Sequence, residues 1–524
     1  MTSQPSSAAG TRYRALRALH DARRVPRRSV LLSFTTAVGL LGAGALAACG
    51  SATTAPAAAT VAPAPSAVAA ATSTTAAPAS TSALSSGTSS AASASSAAPA
   101  ASATSARAAA EPVQVLDAWG NGPWVDTLYT GWAQGLQQAL PNVKVEFIMT
   151  GDFKGGSTAK TAAMIAAGTP PDLTLGSDVS FALKDAIVDL KGYFDRDKDI
   201  TTWKFYPPCW QYVNIVLDNG HPMLWAFPGN PDARVIYANL DLLQKAGVAY
   251  DPAQHWDWST FEDHAKALTK RAADGTIEQL GFSGLWNFGD PYVLAQYAGG
   301  GYFERDATTG WVNKATFSAA GTQRGLSFFR TLMVEDKVGL QPDEKLAGGF
   351  AGGKIAMAPS WSSQLSSLRQ TTNPNMAHFQ WDVMGFPVEH AGDAWPHQFA
   401  NGSQMGSLVQ GAKHLDAAFT VGKYFVGDGH VIRMQAMGGP PQVINHDGQQ
   451  AQWKKQAPGT HYSQLFDQVM ATGDLGAWSK IKLHGTEIMD AYNKNVVQLL
   501  QAKLGVSDFA TAMDSAANAL LQQP

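Results

Sequence analysis

Pro171-Asp172-Leu173-Thr174-Leu175 is the stretch that decides the fold class, because it has the length of a strand and lies between two helical patterns. The pattern before it covers about residues 158–167, and the pattern after it runs from 179 through 190. Short apolar runs bounded by Gly and Pro are typical of buried strands. A strand between two helices predicts a unit of a parallel sheet that is covered by helices.

The same alternation begins at the start of the folded part of the chain. Residues 113–118 predict a strand, 124–140 a helix and 143–148 a second strand. We therefore expect an α/β fold. Sheets of this kind bind ligands in the crevice beyond the carboxyl ends of their strands. The loops that start at Trp119 and Gly176 are thus expected to face one ligand-binding mouth.

Residues 1–48 predict an export signal. Seven arginines between Arg12 and Arg28 precede an apolar segment, 29–48, that ends at Leu46-Ala47-Ala48-Cys49. This ending resembles the lipobox of bacterial lipoproteins, in which the Cys thiol is acylated and the leader is cut. The resemblance implies a lipid anchor on Cys49 and a location on the outer face of the cytoplasmic membrane.

Two alternatives concern this signal. An uncleaved membrane anchor is disfavoured because Gly39, Gly42 and Gly44 weaken the apolar span. Arg27-Arg28 also looks like a twin-arginine signal, so both the general secretory and the twin-arginine route stay open.

Residues 49–111 predict an unfolded linker. Between 50 and 110 the chain is almost wholly Ala, Ser, Thr and Pro, with Arg107 as its only charge, and such a composition cannot bury a core. A flexible linker of about sixty residues has a root-mean-square span on the order of 45 Å.

Residues 112–524 form the folded body of the chain and are long enough for two lobes. Their 30 Lys and Arg against 39 Asp and Glu give a formal charge of −9, which disfavours a nucleic-acid partner. Cys209 is the only cysteine besides Cys49, so lipidation of Cys49 excludes an intramolecular disulfide. We expect Cys209 to be a small buried hydrophobic residue.

Catalytic and metal-binding patterns are absent from the sequence. It has no His-Glu-x-x-His, no paired Cys-x-x-Cys and no Gly-x-Ser-x-Gly. We therefore expect neither a metal, a cofactor nor an enzymatic activity. A secreted carbohydrate-active enzyme stays the alternative from another class, because two carboxylates can flank a glycosidic bond without any sequence pattern.

Four groups of segments resemble the extracellular solute-binding proteins of ABC importers, in the branch that carries sugars. They are 166–172 with 186–190, 235–247 with 256–261, 350–357 with Trp361, and 417–425. The resemblance implies a two-lobed periplasmic-binding-protein-like fold with a ligand cleft between the lobes and a crossover hinge. The first lobe would comprise about 113–226 and 397–440, and the second about 227–390 with C-terminal helices 441–524. Crossovers are expected near 224–228, 385–396 and 438–443.

The resemblance also implies the function. A monomeric protein would capture a mono- or oligosaccharide by lobe closure and deliver it to the transmembrane subunits of an ABC permease. Another small solute, such as a polyol or glycerol phosphate, is the alternative ligand.

Sugar chemistry indicates which residues to expect in the cleft, because a pyranose offers an apolar face and a rim of hydroxyls. All 15 tryptophans lie after residue 112, and three of them follow predicted strands. Trp361 matches the stacking position of the family, and two loop positions match those that bind hydroxyls in relatives. The other reading of these residues is local packing or helix capping. The expected ligand-binding residues are Trp119, Asn121, Asp178, Trp286, Tyr292, Trp361 and Asn401.

Overall fold

A computed structural model of the chain describes most of the region after residue 110. The described residues are 111–117, 125–150, 156–176, 178–252, 255–283, 289–346, 348–362, 365, 368, 378–393, 399–457, 459–472 and 474–523. The export signal, Cys49 and the linker lie outside them.

The strands and helices alternate along the chain. The strands are β1 Val113–Asp117, β2 Val145–Met149, β3 Leu173–Leu175, β4 Asn214–Val216, β5 Pro222–Leu224, β6 Phe227–Asn239, β7 Lys270–Arg271, β8 Ile277–Phe282, β9 Phe303–Arg305, β10 Val312–Ala315, β11 Ile355–Trp361, β12 Trp381–Met384, β13 Phe399–Leu408 and β14 Asp474–Leu475. The α-helices span Val125–Ala139, Gly156–Ala166, Val179–Leu183, Lys191–Arg196, Pro207–Val213, Leu240–Lys245, Trp258–Ala267, Gly289–Tyr297, Ala320–Arg330, Leu415–Val426, Asp428–Met437, Asp447–Lys454, Tyr462–Thr472, Gly485–Leu500 and Val506–Leu521. Short 3-10 turns lie at Ile200–Thr202, Phe350–Gly352 and Ala477–Lys480, and a π-turn at Thr331–Glu335.

The central sheet has the strand order β2-β1-β3-β13-β6-β11-β8-β7, with β12 beside β6 and β14 beside β13. β1 is parallel to both β2 and β3, in the register Val113 to Val145 and Val115 to Leu173. The α/β prediction is therefore confirmed, and so are the first strands and helices to within about two residues.

One predicted helix is wrong in length. The helix expected over 179–190 ends at Leu183, and Asp185 adopts a φ of 55°. The chain then runs extended, because Val188 N donates to Leu408 O at 2.9 Å and Ile187 bridges to Val409. Backbone pairing with β13 thus overrides the helical pattern of these residues.

β6 is the strand that connects the two halves of the sheet. Its first part, up to Ala233, pairs with β13, and from Arg234 onward it pairs with β11. The register against β13 shifts between Asn401 and Ser403, next to Asn230, which adopts a φ of 45°. Side chains other than Gly rarely adopt this conformation, so Asn230 marks a strained bulge in a crossing strand.

Buried side chains form three hydrophobic clusters. The first core contains Trp132, Leu136, Trp225, Phe227 and Phe425 among others; the second core contains Phe261, Phe282, Tyr302, Phe329 and Tyr492; the third core contains Cys209, Tyr237, Tyr462 and Phe466. Cys209 is thus buried, as expected. The two C-terminal helices, Gly485–Leu500 and Val506–Leu521, contribute to the second core.

The helix Val125–Ala139 shows how spacing in the sequence positions the site. Its buried residues Leu128, Trp132 and Leu136 are four positions apart and so lie on one face. Trp132 Nε1 donates to Gly429 O at 2.8 Å, which joins this helix to the helix Asp428–Met437. Gly131 allows the close approach of these two helices, because a Cβ there would lie 2.6 Å from Ile432 Cγ2. The second of these helices carries Arg433, a residue of the candidate site.

No helix among the described residues has both the length and the apolar character needed to span a bilayer.

Candidate ligand-binding cleft

The carboxyl ends of β1 and β3 lie at one edge of the sheet, because the two strands are parallel neighbours. β1 ends at Asp117, which is fully buried and accepts a hydrogen bond from the Tyr129 hydroxyl through Oδ2. β3 ends at Leu175, three residues before Asp178. Crevices at such edges are the usual ligand sites of α/β sheets.

Polar residues from three elements meet on the crossing strand β6. We call them the crossing-strand cluster: Asn230, Asp232 and Arg234 of β6, Trp361 and Ser362 at the end of β11, and Arg433 of the helix Asp428–Met437. The backbone of Trp361 pairs with Arg234, and that of Asn401 pairs with Asp232.

Asp232 is held by the residue that follows Trp361. Its Oδ1 accepts a hydrogen bond from Ser362 N at 2.8 Å and a second from Ser362 Oγ. Burial raises the pKa of the Asp232 carboxyl to about 6, although the hydrogen bonds from Ser362 and the charge of Arg234 oppose this shift. Asp232 therefore changes charge close to neutral pH.

Trp361 stands between a cation and the second core. The Arg234 guanidinium lies 5.0 Å from the centroid of the Trp361 ring, within the range of a cation–π interaction. Arg234 is 1% exposed, whereas the Trp361 ring is only partly buried and packs against the second core. The Tyr237 hydroxyl donates to Trp361 O at 3.4 Å. These contacts fix the ring at the end of its strand.

Arg433 supports the strained bulge of β6. Its Nη1 donates to Asn230 Oδ1, and Gln442 Nε2 donates to the same oxygen at 3.4 Å. Burial lowers the pKa of Arg433 to about 10, and the carboxylates of Asp117 and Asp232 oppose that shift. Arg433 is therefore a cation close to two carboxylates, that of Asp117 at the end of β1 and that of Asp232 on β6.

This arrangement suits a neutral, polyhydroxylated ligand. A partly exposed indole ring offers a flat apolar face, while carboxylates accept hydrogen bonds and guanidinium groups donate them. The carboxylates of Asp117 and Asp232 are balanced by the guanidinium groups of Arg234 and Arg433. Because their charges cancel, the group does not favour a strongly anionic ligand.

Four of the expected ligand-binding residues fall within the described residues, although no side chain is described for Asn401. Trp361 and Asn401 are brought together on β6, as stated above. Asp178 caps the helix Val179–Leu183, because its Oδ1 accepts from Ser180 N at 2.8 Å. Tyr292 is 3% exposed in the second core, with its ring 5.0 Å from that of Tyr302. The binding roles of all four stay predictions.

Three expected ligand-binding residues, Trp119, Asn121 and Trp286, lie outside the described residues. Their contact with a ligand also stays a prediction.

The sequence interpretation missed Asp117, Asp232, Arg234 and Arg433. A usable signal existed for two of them, because Asp232 and Arg234 are the charged residues of a crossing strand that is mostly apolar. Charged residues are rarely buried without a partner or a function. Nothing local in the sequence marks Arg433, which reaches the cluster from a helix 199 positions after Arg234.

Within the residues that the structure describes, no group of three or more His, Cys, Asp or Glu side chains is arranged to hold a metal ion.

The family model of the bacterial extracellular solute-binding proteins matches residues 121–432, which is more than half of the chain. The chain belongs to this family. The match covers the crossing strand β6 and β13 as well as most of the crossing-strand cluster, and it ends one residue before Arg433. Membership in an extracellular family places the solute-binding protein outside the cytoplasm. The family consists of binding proteins rather than enzymes.

Solved structures share the fold of this solute-binding protein over most of its length. One is an ABC substrate-binding protein from Listeria monocytogenes in complex with cycloalternan, at 19% identity and a TM-score of 0.62, covering 78% of this chain and 98% of that chain. Another is the sugar-binding protein MalE from Xanthomonas citri, at 16% identity and a TM-score of 0.61, covering 78% and 97%. A third is UgpB from Mycobacterium tuberculosis in complex with glycerophosphocholine, at 17% identity and a TM-score of 0.61, covering 79% and 98%. At these identities the likeness shows the two-lobed α/β fold alone.

A search of curated proteins found no match to this chain.

Proposed function

We propose that the protein is the carbohydrate-capturing component of an ABC importer and that it binds a neutral mono- or oligosaccharide between its lobes. The observation that carries the proposal is the position of Trp361. Its ring is partly exposed at the end of β11, beside the guanidinium of Arg234 and next to the bound carboxyl of Asp232. An apolar ring with a polar rim matches the two surfaces of a pyranose.

The balance of charges supports a neutral sugar over glycerol phosphate. A phosphate ester needs surplus cationic donors, whereas Arg234 and Arg433 already lie close to Asp232, and Arg433 also lies close to Asp117. Among structural neighbours, the names of several state a sugar ligand, and one states glycerophosphocholine. The balanced charges of the crossing-strand cluster favour a neutral ligand, as in the first group.

The anchoring and the partners are part of the same proposal. Residues 1–48 act as an export leader, Cys49 becomes the lipidated N-terminus, and residues 50–111 act as the tether. The monomeric protein then passes its ligand to the transmembrane subunits of a permease. The support for these steps is the Leu46-Ala47-Ala48-Cys49 ending and the composition of the linker.

Native mass spectrometry after incubation with neutral oligosaccharides tests this function. We expect a complex whose mass equals that of the protein plus one intact sugar, and the sugar recovered after denaturation should be unchanged. Recovery of shortened sugars would instead indicate a glycoside hydrolase. Arg234→Met serves as the matched variant, because it keeps an unbranched apolar stem and removes the charge beside Trp361.

A further inference from the structure

Trp311 lies on a hairpin that packs in the second core, but the Trp311 ring itself is buried in the first core. The hairpin consists of β9 and β10, whose residues Phe303, Val312 and Ala315 belong to the second core. Trp311 itself, directly before β10, is 3% exposed and belongs to the first core. The hairpin therefore inserts one large ring into the opposite half of the protein.

A hydrogen bond fixes this ring to the hairpin formed by β4 and β5. Trp311 Nε1 donates to Val216 O at 2.7 Å, and Val216 is the last residue of β4. The β4–β5 hairpin is a separate two-stranded sheet whose residues Ile215 and Met223 lie in the first core. The contact is thus made outside the central sheet and in addition to the crossing strands.

Two lysines of the C-terminal segment complete the contact. The Nζ atoms of Lys480 and Lys482 each lie 5.6 Å from the centroid of the Trp311 ring. Lys482 forms an ion pair with Asp218, in the turn of the β4–β5 hairpin. The Trp311 ring is thereby held between the hairpin and two cations.

Lys480 also binds the end of a helix that belongs mainly to the first core. It is 7% exposed, and its ammonium donates to Gln211 O and, at 3.2 Å, to Asn214 O. These carbonyls lie at the carboxyl end of the helix Pro207–Val213, where the helix dipole favours a cation. Lys480 approaches from the side of the second core, because the ring of its neighbour Trp478 lies 5.9 Å from that of Phe303. The hydrogen bonds of the buried Lys480 ammonium therefore form a second link between the two cores, besides the bond from Trp311 to Val216 O.

We infer that Trp311, Lys480 and Lys482 form a fixed pivot for lobe closure and act as positioning residues for solute binding. The inference rests on the proposed capture of a solute by lobe closure. A rigid body that turns on crossing strands alone can bend and twist, whereas a second fixed point outside the sheet restricts the motion to one axis. The segment 207–224 that the pivot holds leads directly into the crossing strand β6. The pivot thus restricts which unliganded conformations the binding residues sample, without contact to the solute.

The test measures distances between the lobes in the unliganded protein. The full chain carries Cys49→Ser and spin labels at Lys198→Cys and Lys245→Cys, two exposed positions that lie beside the first and the second core. Cys209 stays unlabelled because it is fully buried. We expect a narrow distance distribution that broadens and shifts in Trp311→Ala. Trp311→Phe should broaden it less, because an aromatic ring remains while the bond to Val216 O is lost.

Trp256→Ala is the matched control, because this indole is buried within the second core alone. It should lower the melting temperature and leave the distance distribution unchanged. If Trp311→Ala does not fold, the distance distributions of Trp311→Phe and Lys480→Met are compared with that of the wild type instead. The inference is overturned if the folded pivot variants give the wild-type distribution, or if Trp256→Ala broadens it equally. Since no sugar is present, this outcome is independent of whether the carbohydrate proposal holds.

Discussion

Trp361 and Asn401 lie on opposite sides of one strand, because Trp361 pairs with Arg234 of β6 and Asn401 pairs with Asp232 two residues earlier. The resemblance to solute-binding proteins had singled out both residues, which are 40 positions apart in the sequence. The crossing strand between them carries the charged residues that complete the candidate cleft.

Trp361→Ala should weaken sugar binding about tenfold to a hundredfold. Removing the contact of a large aromatic side chain costs roughly 1.5 to 3 kcal/mol, and each 1.4 kcal/mol changes the dissociation constant about tenfold. Calorimetric titration measures the affinity, and a melt without ligand measures the fold. Trp210→Ala is the control, because Trp210 is 38% exposed and lies on the helix Pro207–Val213, which carries no residue of the crossing-strand cluster. Unchanged affinity together with a much lower melting temperature would show that the Trp361 ring is structural.

Asp232 should make stability depend on pH. Its pKa of about 6 in the folded protein exceeds the ordinary value of 3.8, so the folded state binds the proton more tightly. The contribution of Asp232 is therefore fully present below about pH 4 and is lost as the pH rises through 6. Relative to wild type, Asp232→Asn should gain about 2 kcal/mol of unfolding free energy between pH 4 and pH 7, because most of the shift of about two pKa units, at ~1.4 kcal/mol per unit, acts in this range.

Urea unfolding at a series of pH values measures this difference. Ser362→Ala provides a companion variant, because its hydroxyl bond to the carboxyl lowers the pKa of Asp232. In Ser362→Ala the pH at which the contribution of Asp232 to stability is lost should be higher than in wild type. If the difference in unfolding free energy between Asp232→Asn and wild type stays constant from pH 4 to pH 7, the raised pKa of Asp232 is contradicted.

Sequence patterns predicted the order of elements well where one local signal dominates. The strand Leu173–Leu175 and the helix Val125–Ala139 are examples, since strand length and the helical spacing of apolar residues are local properties. The helix expected through 190 was wrong because the partner of Val188, in β13, lies more than two hundred residues away. A distant backbone partner leaves no periodicity in the sequence.

The candidate site was predictable only in part for the same reason. Trp361 follows a recognisable strand, whereas Arg433 reaches Asn230 across 203 positions of sequence. The strain at Asn230 depends on the bulge against β13, which is a tertiary property.

Cys49→Ala should block processing of the leader by the lipoprotein signal peptidase and release or mislocalise the protein. The reason is that acylation of the Cys49 thiol provides the membrane anchor in the lipobox interpretation of Leu46-Ala47-Ala48-Cys49. Metabolic labelling with a fatty acid and fractionation of the cells measure the outcome. Processing that is insensitive to globomycin, with no lipid on Cys49, would contradict the anchor.

Binding of the correct sugar should compact the protein without changing its secondary structure. Lobes joined by crossing strands close around a ligand as nearly rigid bodies. Small-angle scattering measures the radius of gyration, and circular dichroism measures the secondary structure. An unchanged radius at saturation would show that this protein binds its solute without closure.

The central claim is that a neutral carbohydrate is the ligand, and a thermal-shift screen tests it most directly. The panel contains neutral mono- and oligosaccharides together with glycerol 3-phosphate and glycerophosphocholine. A bound ligand at about one hundred times its dissociation constant stabilises the folded state by ~2.7 kcal/mol, which is a clear rise in melting temperature. We predict that at least one neutral sugar produces this rise and that the phosphate esters do not. The account would be contradicted if only a phosphate ester raised the melting temperature, or if none of the sugars raised it.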